Sequence, residues 1–247
     1  MKYIEAIERK EMYGDINGYH GYLELYDFSK ANQCEESRIE AVSIVAATSF
    51  GNDEPKSKKN LYDKLFKERN TCLEFVRIGP DFDIGTSLRN NPHEWFSQEA
   101  EFEDHQENVA CFKFRAPLMV IAHLVRHRYQ FSFNQLSRRY VKVCDDDFFI
   151  PKEIEDTPFC LHFQNHIRET INTYNGMIES GIKKEIARSV LPSYVLMSDM
   201  WIIGNKVAWK NLFKTRLSDD EKVQNYTKDL VKSMHRMILG NQPEILE

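Results

Sequence analysis

Between Asn108 and Cys144 the chain contains no aspartate or glutamate, and inside that window an alternating segment runs straight into an almost wholly apolar one. Asn108 to Arg115 sets Ala110, Phe112 and Phe114 against Cys111, Lys113 and Arg115, the period-two pattern of a half-buried strand. Ala116-Pro117 then opens a helix, because proline's fixed φ and missing N–H suit the first helical turn. From Leu118 to Val125 only His123 is polar, so this helix is expected to be buried nearly all round. It ends at Arg126-His127-Arg128, where cations favour the helix C-terminus.

The rest of the chain supplies further helices and a modest sheet. Glu36 to Ser49 and Ser57 to Arg69 read as helices, and Pro80 to His93, rich in Gly, Pro, Asn and Asp, as a loop. Residues 1–35 read as irregular, with a turn signal at Asp15-Ile16-Asn17-Gly18 and a short strand at Tyr22–Tyr26. A second strand is expected at Tyr140 to Val143. Phe163, Ile167, Ile171, Tyr174 and Ile178 mark one face of a long helix that stops near Ser180-Gly181. Lys184 to Val190 is a short helix ended by Pro192, and Tyr194 to Ile203 another strand. Asn205 is placed to cap a helix running to about Arg216, and Asp219 to Leu239 forms the last helix. The sum is a helix-rich α/β (α+β) fold with a modest, mostly antiparallel sheet. Residues 1–247 are read as one domain, since Gly 10 and Pro 8 leave little for long linkers.

No apolar run approaches the roughly 20 residues that span a bilayer, and Met1-Lys2-Tyr3-Ile4-Glu5 lacks a signal peptide's apolar core. Cys34, Cys72, Cys111, Cys144 and Cys160 are odd in number and form no Cys-x-x-Cys, which predicts unpaired thiols in a reducing cytoplasm.

The acid-free window carries Lys113, Arg115, Arg126, Arg128, Arg138, Arg139 and Lys142, a formal +7 in a chain of −5. Such an island holds an anion locally. Hydroxyls and amides between the guanidinium groups, at Ser132, Asn134, Gln135 and Ser137, suit a phosphate or a planar heterocycle. Two other readings stand beside this one. The arginines could pair with the acidic remainder, or Tyr129, Phe131, Phe133 and Tyr140 could stack nucleic-acid bases, which the net charge disfavours. His123 and His127, four apart, have the spacing of a helical metal pair, but Leu124 stands where zinc proteases place Glu, and no metal is expected. No Gly-rich phosphate loop and no Gly-x-Ser-x-Gly occurs.

Arg126-His127-Arg128 followed by Ser137-Arg138-Arg139-Tyr140 resembles the flavin-dependent thymidylate synthases, whose signature is Arg-His-Arg, seven residues, then Ser. The likeness extends to Phe114-Arg115-Ala116-Pro117, Phe149-Ile150-Pro151, Arg188-Ser189-Val190-Leu191-Pro192, and Asn205 with Asn211 and Arg216. It implies that family's fold and a homotetramer with FAD at subunit interfaces. It also implies conversion of dUMP to dTMP, with methylenetetrahydrofolate as carbon donor and NADPH as reductant, and without nucleic acid or membrane partners. On this resemblance Arg126, His127, Arg128, Asn205, Asn211 and, more weakly, Ser49 contact flavin. Ser137, Arg138, Arg139 and Arg188 hold dUMP, with Arg126 also near it. Gln135 stands where the family has Glu or Gln, between flavin and nucleotide. His123 stands on the substrate side where Gln is usual. Arg216 would be catalytic, favouring ionisation at uracil N3.

Some positions depart from the family pattern. Eight residues, Tyr129 to Leu136, separate Arg128 from Ser137, so one residue must bulge. Val207 replaces a common Arg, and Phe102-Glu103 with His105 is the nearest match to a family Phe-Glu-His. These departures also admit a related flavoenzyme that transfers a one-carbon group, such as hydroxymethyl, to dUMP or dCMP.

Overall fold

The computed structural model describes residues 4–15, 18–27, 34–48, 51, 109–218, 224–243 and 246. The helix expected at 57–69, the loop at 80–93, Ser49 and the Phe102–His105 segment lie outside the described residues.

Five strands form one antiparallel sheet, in the order β1-β2-β3-β5-β4. They are β1 (Glu5–Asp15), β2 (Gly18–Asp27), β3 (Val109–Pro117), β4 (Phe131–Gln135) and β5 (Met197–Asn205). Register fixes which side chains share a face. Phe112 lies opposite Leu25 and Ile202, and Phe114 opposite Leu23 and Met200, so one face is apolar throughout. Lys113 lies opposite Glu24 and Trp201, and Arg115 opposite Tyr22 and Asp199, so the other face is largely polar at its centre.

The apolar face is covered by α2 (Leu118–Leu124), α6 (Lys206–Arg216) and α7 (Asn225–Asn241). Their Val120, Ile121, Leu124, Trp209, Leu212 and Met234 bury into one core with the strand residues. At about 25 cal/mol per Å² of apolar surface removed from water, this is the main stabilising term. On the polar face, α1 (Glu35–Ala47) approaches β4 and β5: Asn134 Nδ2 donates to the Val45 carbonyl, and Trp201 Nε1 donates to Thr48 Oγ1 at 2.9 Å. A second core gathers Ile167, Ile171 and Tyr174 of α4 (Phe159–Glu179) with Val143, Phe148 and Leu196. Short helices α3 (Lys152–Glu155) and α5 (Lys184–Ala187) flank α4.

Several expectations about helix ends are met. Pro117 is the N-cap of α2, α4 ends at Glu179 with Ser180 as its C-cap and Gly181 in the left-handed region (φ 87°), and Asn205 Oδ1 accepts from the Ala208 amide at 3.0 Å to cap α6. Cys34, Cys111, Cys144 and Cys160 are unpaired, and no helix among the described residues is long and apolar enough to cross a membrane.

Others are corrected. The N-terminal region is not irregular: β1 and β2 pair from Glu5↔Asp27 to Asp15↔Gly18. β1 is an edge strand whose Glu5 to Glu11 are exposed, so no burial selects an alternating sequence there. The strand expected at Tyr140–Val143 is a turn and an irregular segment. The strand that follows α2 is β4, whose Phe131 and Phe133 face the core side. α2 is not buried all round, since Ala122 is exposed, and it ends at Leu124, so His123 and His127 do not share a helix.

Gly21 lets the β3 backbone come close to β2. A Cβ there would strike the Arg115 backbone carbonyl, which cannot swing aside as a side chain would. Gly21→Ala is therefore expected to lower the unfolding free energy by about 2–3 kcal/mol, read from urea denaturation at constant m-value.

Candidate functional site

Four of the expected site residues converge where α2 and α6 end. Arg216, the last residue of α6, donates from Nε to His127 Nε2 at 2.8 Å and from Nη2 to the His123 carbonyl at 3.0 Å. His127 follows α2 in a turn closed by its amide on the Leu124 carbonyl. Burial, then Arg216, holds His127 below its ordinary pKa; burial, then Arg216 and Arg126, does the same for His123. Burial and Arg126 also lower the pKa of Arg216, though a guanidinium stays charged at physiological pH. Arg126 and Arg128 are exposed, and neither has a carboxylate partner among the described residues.

The other half of the cationic island behaves differently. Arg138 is 6% exposed; its Nη1 donates to Asp147 Oδ2 at 2.9 Å and its Nη2 to the Met197 carbonyl at 2.8 Å. Asp147 Oδ1 accepts from Arg115 Nη2 at 2.6 Å, and Arg115 Nη1 reaches Asp199 Oδ2 at 3.3 Å. Tyr22 closes the chain by donating to Asp199 Oδ1 at 2.8 Å. Burial alone would raise the Asp147 carboxyl, but the Arg138 hydrogen bond and charge, the Cys144 amide and Arg115 outweigh it and hold its pKa below the ordinary 3.8. These groups, with Lys113, line an open cavity of about 410 Å³ on the polar face of the sheet. Pairing with the acidic remainder therefore accounts for Arg115 and Arg138, and for the exposed Arg139, which meets Glu185 at 2.8 Å.

Ser137 to Val141 is a tight turn: the Ser137 carbonyl accepts from the amides of Tyr140 and Val141, and Ser137 Oγ accepts from Arg139 N at 3.4 Å. Lys184 Nζ on the Tyr140 carbonyl (3.0 Å) and Glu185 on Arg139 dock α5 against this turn. Arg188, exposed, follows directly in a 3-10 turn. Gln135, at the end of β4, donates to Ser198 Oγ at 3.1 Å. Asn205 is buried with its Oδ1 engaged in the cap, and Asn211 is exposed midway along α6. At 1.5 Å per residue Asn205 stands roughly 16 Å from Arg216, a span that suits an extended ligand and not a single ring.

Between Arg128 and Ser137 the chain turns before it enters β4. β4 pairs with β5 from Phe131↔Gly204 to Gln135↔Met200 without interruption, and Gln130 immediately before it is left-handed, with φ 56°. That left-handed residue turns the backbone immediately before the strand begins.

Sequence reasoning missed Tyr22, Asp147 and Asp199. Their signal was weak: Tyr22 and Asp199 are single polar residues far along the chain from Arg115, and Asp147 is the last of three consecutive aspartates that read as a solvated acidic run. Only the polar phase of the β3 alternation, Cys111, Lys113 and Arg115, hinted that this face of the sheet is more than a solvent surface.

The family model described as thymidylate synthase complementing protein matches residues 103–244. The chain is 26% identical over 144 residues to the flavin-dependent thymidylate synthase of Aquifex aeolicus (strain VF5), covering 51% of this chain and 44% of that protein. To the proteins of the same name it is 30% identical over 103 residues in Thermotoga neapolitana (39% and 47%) and 30% over 155 residues in Kosmotoga olearia (54% and 66%). The chain spans about half the length of the first two of these curated relatives.

Two stability outcomes follow from this geometry. Asp147→Asn leaves Arg138 buried against a neutral amide and is expected to cost about 3–5 kcal/mol in denaturant unfolding. Because the folded pKa of Asp147 is depressed, its contribution is complete above the ordinary value of 3.8 and is lost as pH falls through the folded pKa, so the wild-type advantage over the variant should shrink below that point. At Gln130, glycine adopts φ 56° freely while a β-branched residue resists it. Gln130→Val should lose about 1–2 kcal/mol relative to Gln130→Gly, measured by thermal unfolding of the pair.

Proposed function

Because the chain belongs to the thymidylate synthase complementing protein family, that of the flavin-dependent thymidylate synthases, we propose that it converts dUMP to dTMP, with methylenetetrahydrofolate as carbon donor and NADPH as reductant through bound FAD. The observation that carries this reading is the convergence of Arg216, His127, His123 and Arg126 at the joint ends of α2 and α6, with no carboxylate on Arg126 or Arg128 among the described residues.

That charge excess is the test of fit for FAD. A diphosphate needs cations not already spent on carboxylates, and Arg126 and Arg128 meet that need, whereas Arg115 and Arg138 do not. Arg126, His127 and Arg128 would hold the cofactor with Asn205, Asn211 and Ser49, and Gln135 would lie between it and the nucleotide. Bound flavin would supply the hydride that no side chain can provide.

The chain's own groups do the rest. Arg188, exposed and with no carboxylate partner among the described residues, would take the nucleotide phosphate, joined by Arg139 once the phosphate displaces Glu185 from it, and the Ser137 turn would fix its orientation. Arg138 supports that turn from beneath through Asp147. Arg216 would stabilise negative charge as it builds on the pyrimidine ring and raises electron density at C5, a preorganised cation in a partly desolvated place. The exposed Phe159, Leu161, Ile186 and Tyr194 support burial of apolar surface between subunits of a homotetramer.

The flavin-loaded full chain is expected to form dTMP from dUMP, methylenetetrahydrofolate and NADPH, followed by chromatography of the products. Arg216→Ala should lower kcat by about 10²–10³-fold with flavin absorbance retained. A flavin-loaded protein that makes no dTMP, or makes only hydroxymethylated nucleotide, would overturn the reading.

A further inference from the structure

The contact between Arg216 and His127 assigns the histidine a role apart from the flavin. Arginine has only donors, so at 2.8 Å from Arg216 Nε the His127 Nε2 must be the bare, accepting nitrogen. The imidazole is therefore neutral with its proton on Nδ1. The second hold on Arg216 is the His123 carbonyl, which takes Nη2. Both contacts lie along one edge of the guanidinium. Among the described residues nothing accepts from Nη1, so the fork is fixed along one edge and its other edge has no protein acceptor there.

We propose that His127 is a positioning residue: as the neutral Nδ1–H tautomer it fixes the guanidinium of Arg216 for its work on the pyrimidine, and protonation of the imidazole releases it. This rests on the reading that Arg216 acts on a pyrimidine nucleotide. It also means that His127 can serve a bound flavin only through Nδ1–H, since Nε2 is occupied.

The surroundings favour the neutral form. Arg216 faces His127 from α6, and the cation Arg126 and the imidazole of His123 lie on the α2 side; no carboxylate among the described residues is set against them. A second positive charge on the imidazole would sit against a fixed one. The folded pKa of His127 is thus below its ordinary 6.5, and the hold on Arg216 is complete above that value and lost as pH falls below it.

The decisive measurement needs no turnover. In protein labelled with ¹⁵N in histidine and arginine, His127 should show the Nδ1–H tautomer at neutral pH, and the Arg216 Nε–H resonance should shift as His127 protonates. His127→Gln, which places an amide oxygen as a non-titrating acceptor, should keep the Arg216 resonance near its neutral-pH position at every pH. His127→Ala should lose it. A His127 protonated on Nε2, or an Arg216 signal indifferent to its titration, would overturn the proposal whether or not dTMP is made. In the turnover assay, His127→Ala should lose about 10²-fold in kcat, as expected for a misplaced group. His127→Gln should restore much of that loss and abolish the acid limb of the kcat profile below pH 6.5. His123→Gln should retain the acid limb, because only the backbone of His123 holds Arg216. Equal losses in the Gln and Ala variants with the limb unchanged would show a packing role and sink the idea. Failure of dTMP formation with the resonances behaving as described would remove the functional reading alone.

Discussion

One carboxylate sets the position of much that surrounds it. Asp147 accepts from Arg115 on β3, from Arg138 in the turn after β4, and from the amide of Cys144 in its own segment. The chain from Ser137 to Asp147 is irregular and has no ladder to fix it against the sheet. Arg138 supplies that link, spanning from Asp147 to the Met197 carbonyl at the start of β5. Two cations and one anion in a largely buried place add little net stability over an apolar core of the same shape, but any one of them without its partners is costly. The arrangement therefore admits one placement of the turn that carries Ser137 and Arg139.

The same clamp divides the labour of the cationic island. Charges neutralised by Asp147, Asp199 and Glu185 build the platform, and Arg126 and Arg128 remain exposed at its other end. Arg216 stands between these regimes. It has no carboxylate among the described residues but is held by a neutral nitrogen and a carbonyl, so its charge is directed without being cancelled.

Elements whose ends are written in local chemistry were legible in the sequence. α6 is the clearest case: Asn205 caps it, its apolar stripe of Ala208, Trp209, Leu212 and Phe213 faces the core, and it stops at Arg216. α4 likewise announces its stop with Gly181. What escaped was set by distant partners. β4 is short and half-buried, and only its ladder with β5 makes it a strand. β1 is an exposed edge whose charges conceal its period. Of the candidate site, Arg126, His127, Arg216 and His123 were each visible as residues, but the hydrogen bond between His127 and Arg216 joins positions 89 apart in sequence. The window without acids suggested an undivided +7, because Asp147 lies just past its end and Asp199 and Glu185 further along.

β5 and α6 share Asn205, which is both the last residue of the strand and the cap of the helix, so no loop intervenes between the sheet and Arg216. Each helical residue advances about 1.5 Å and turns about 100°. One residue added or removed between Met197 and Arg216 would thus rotate the guanidinium off His127 or push every β5 side chain to the opposite face of the sheet. Substitution can alter this stretch gradually, but a change of length has no intermediate form. Its twenty positions behave as a fixed ruler between the start of β5 and the guanidinium of Arg216.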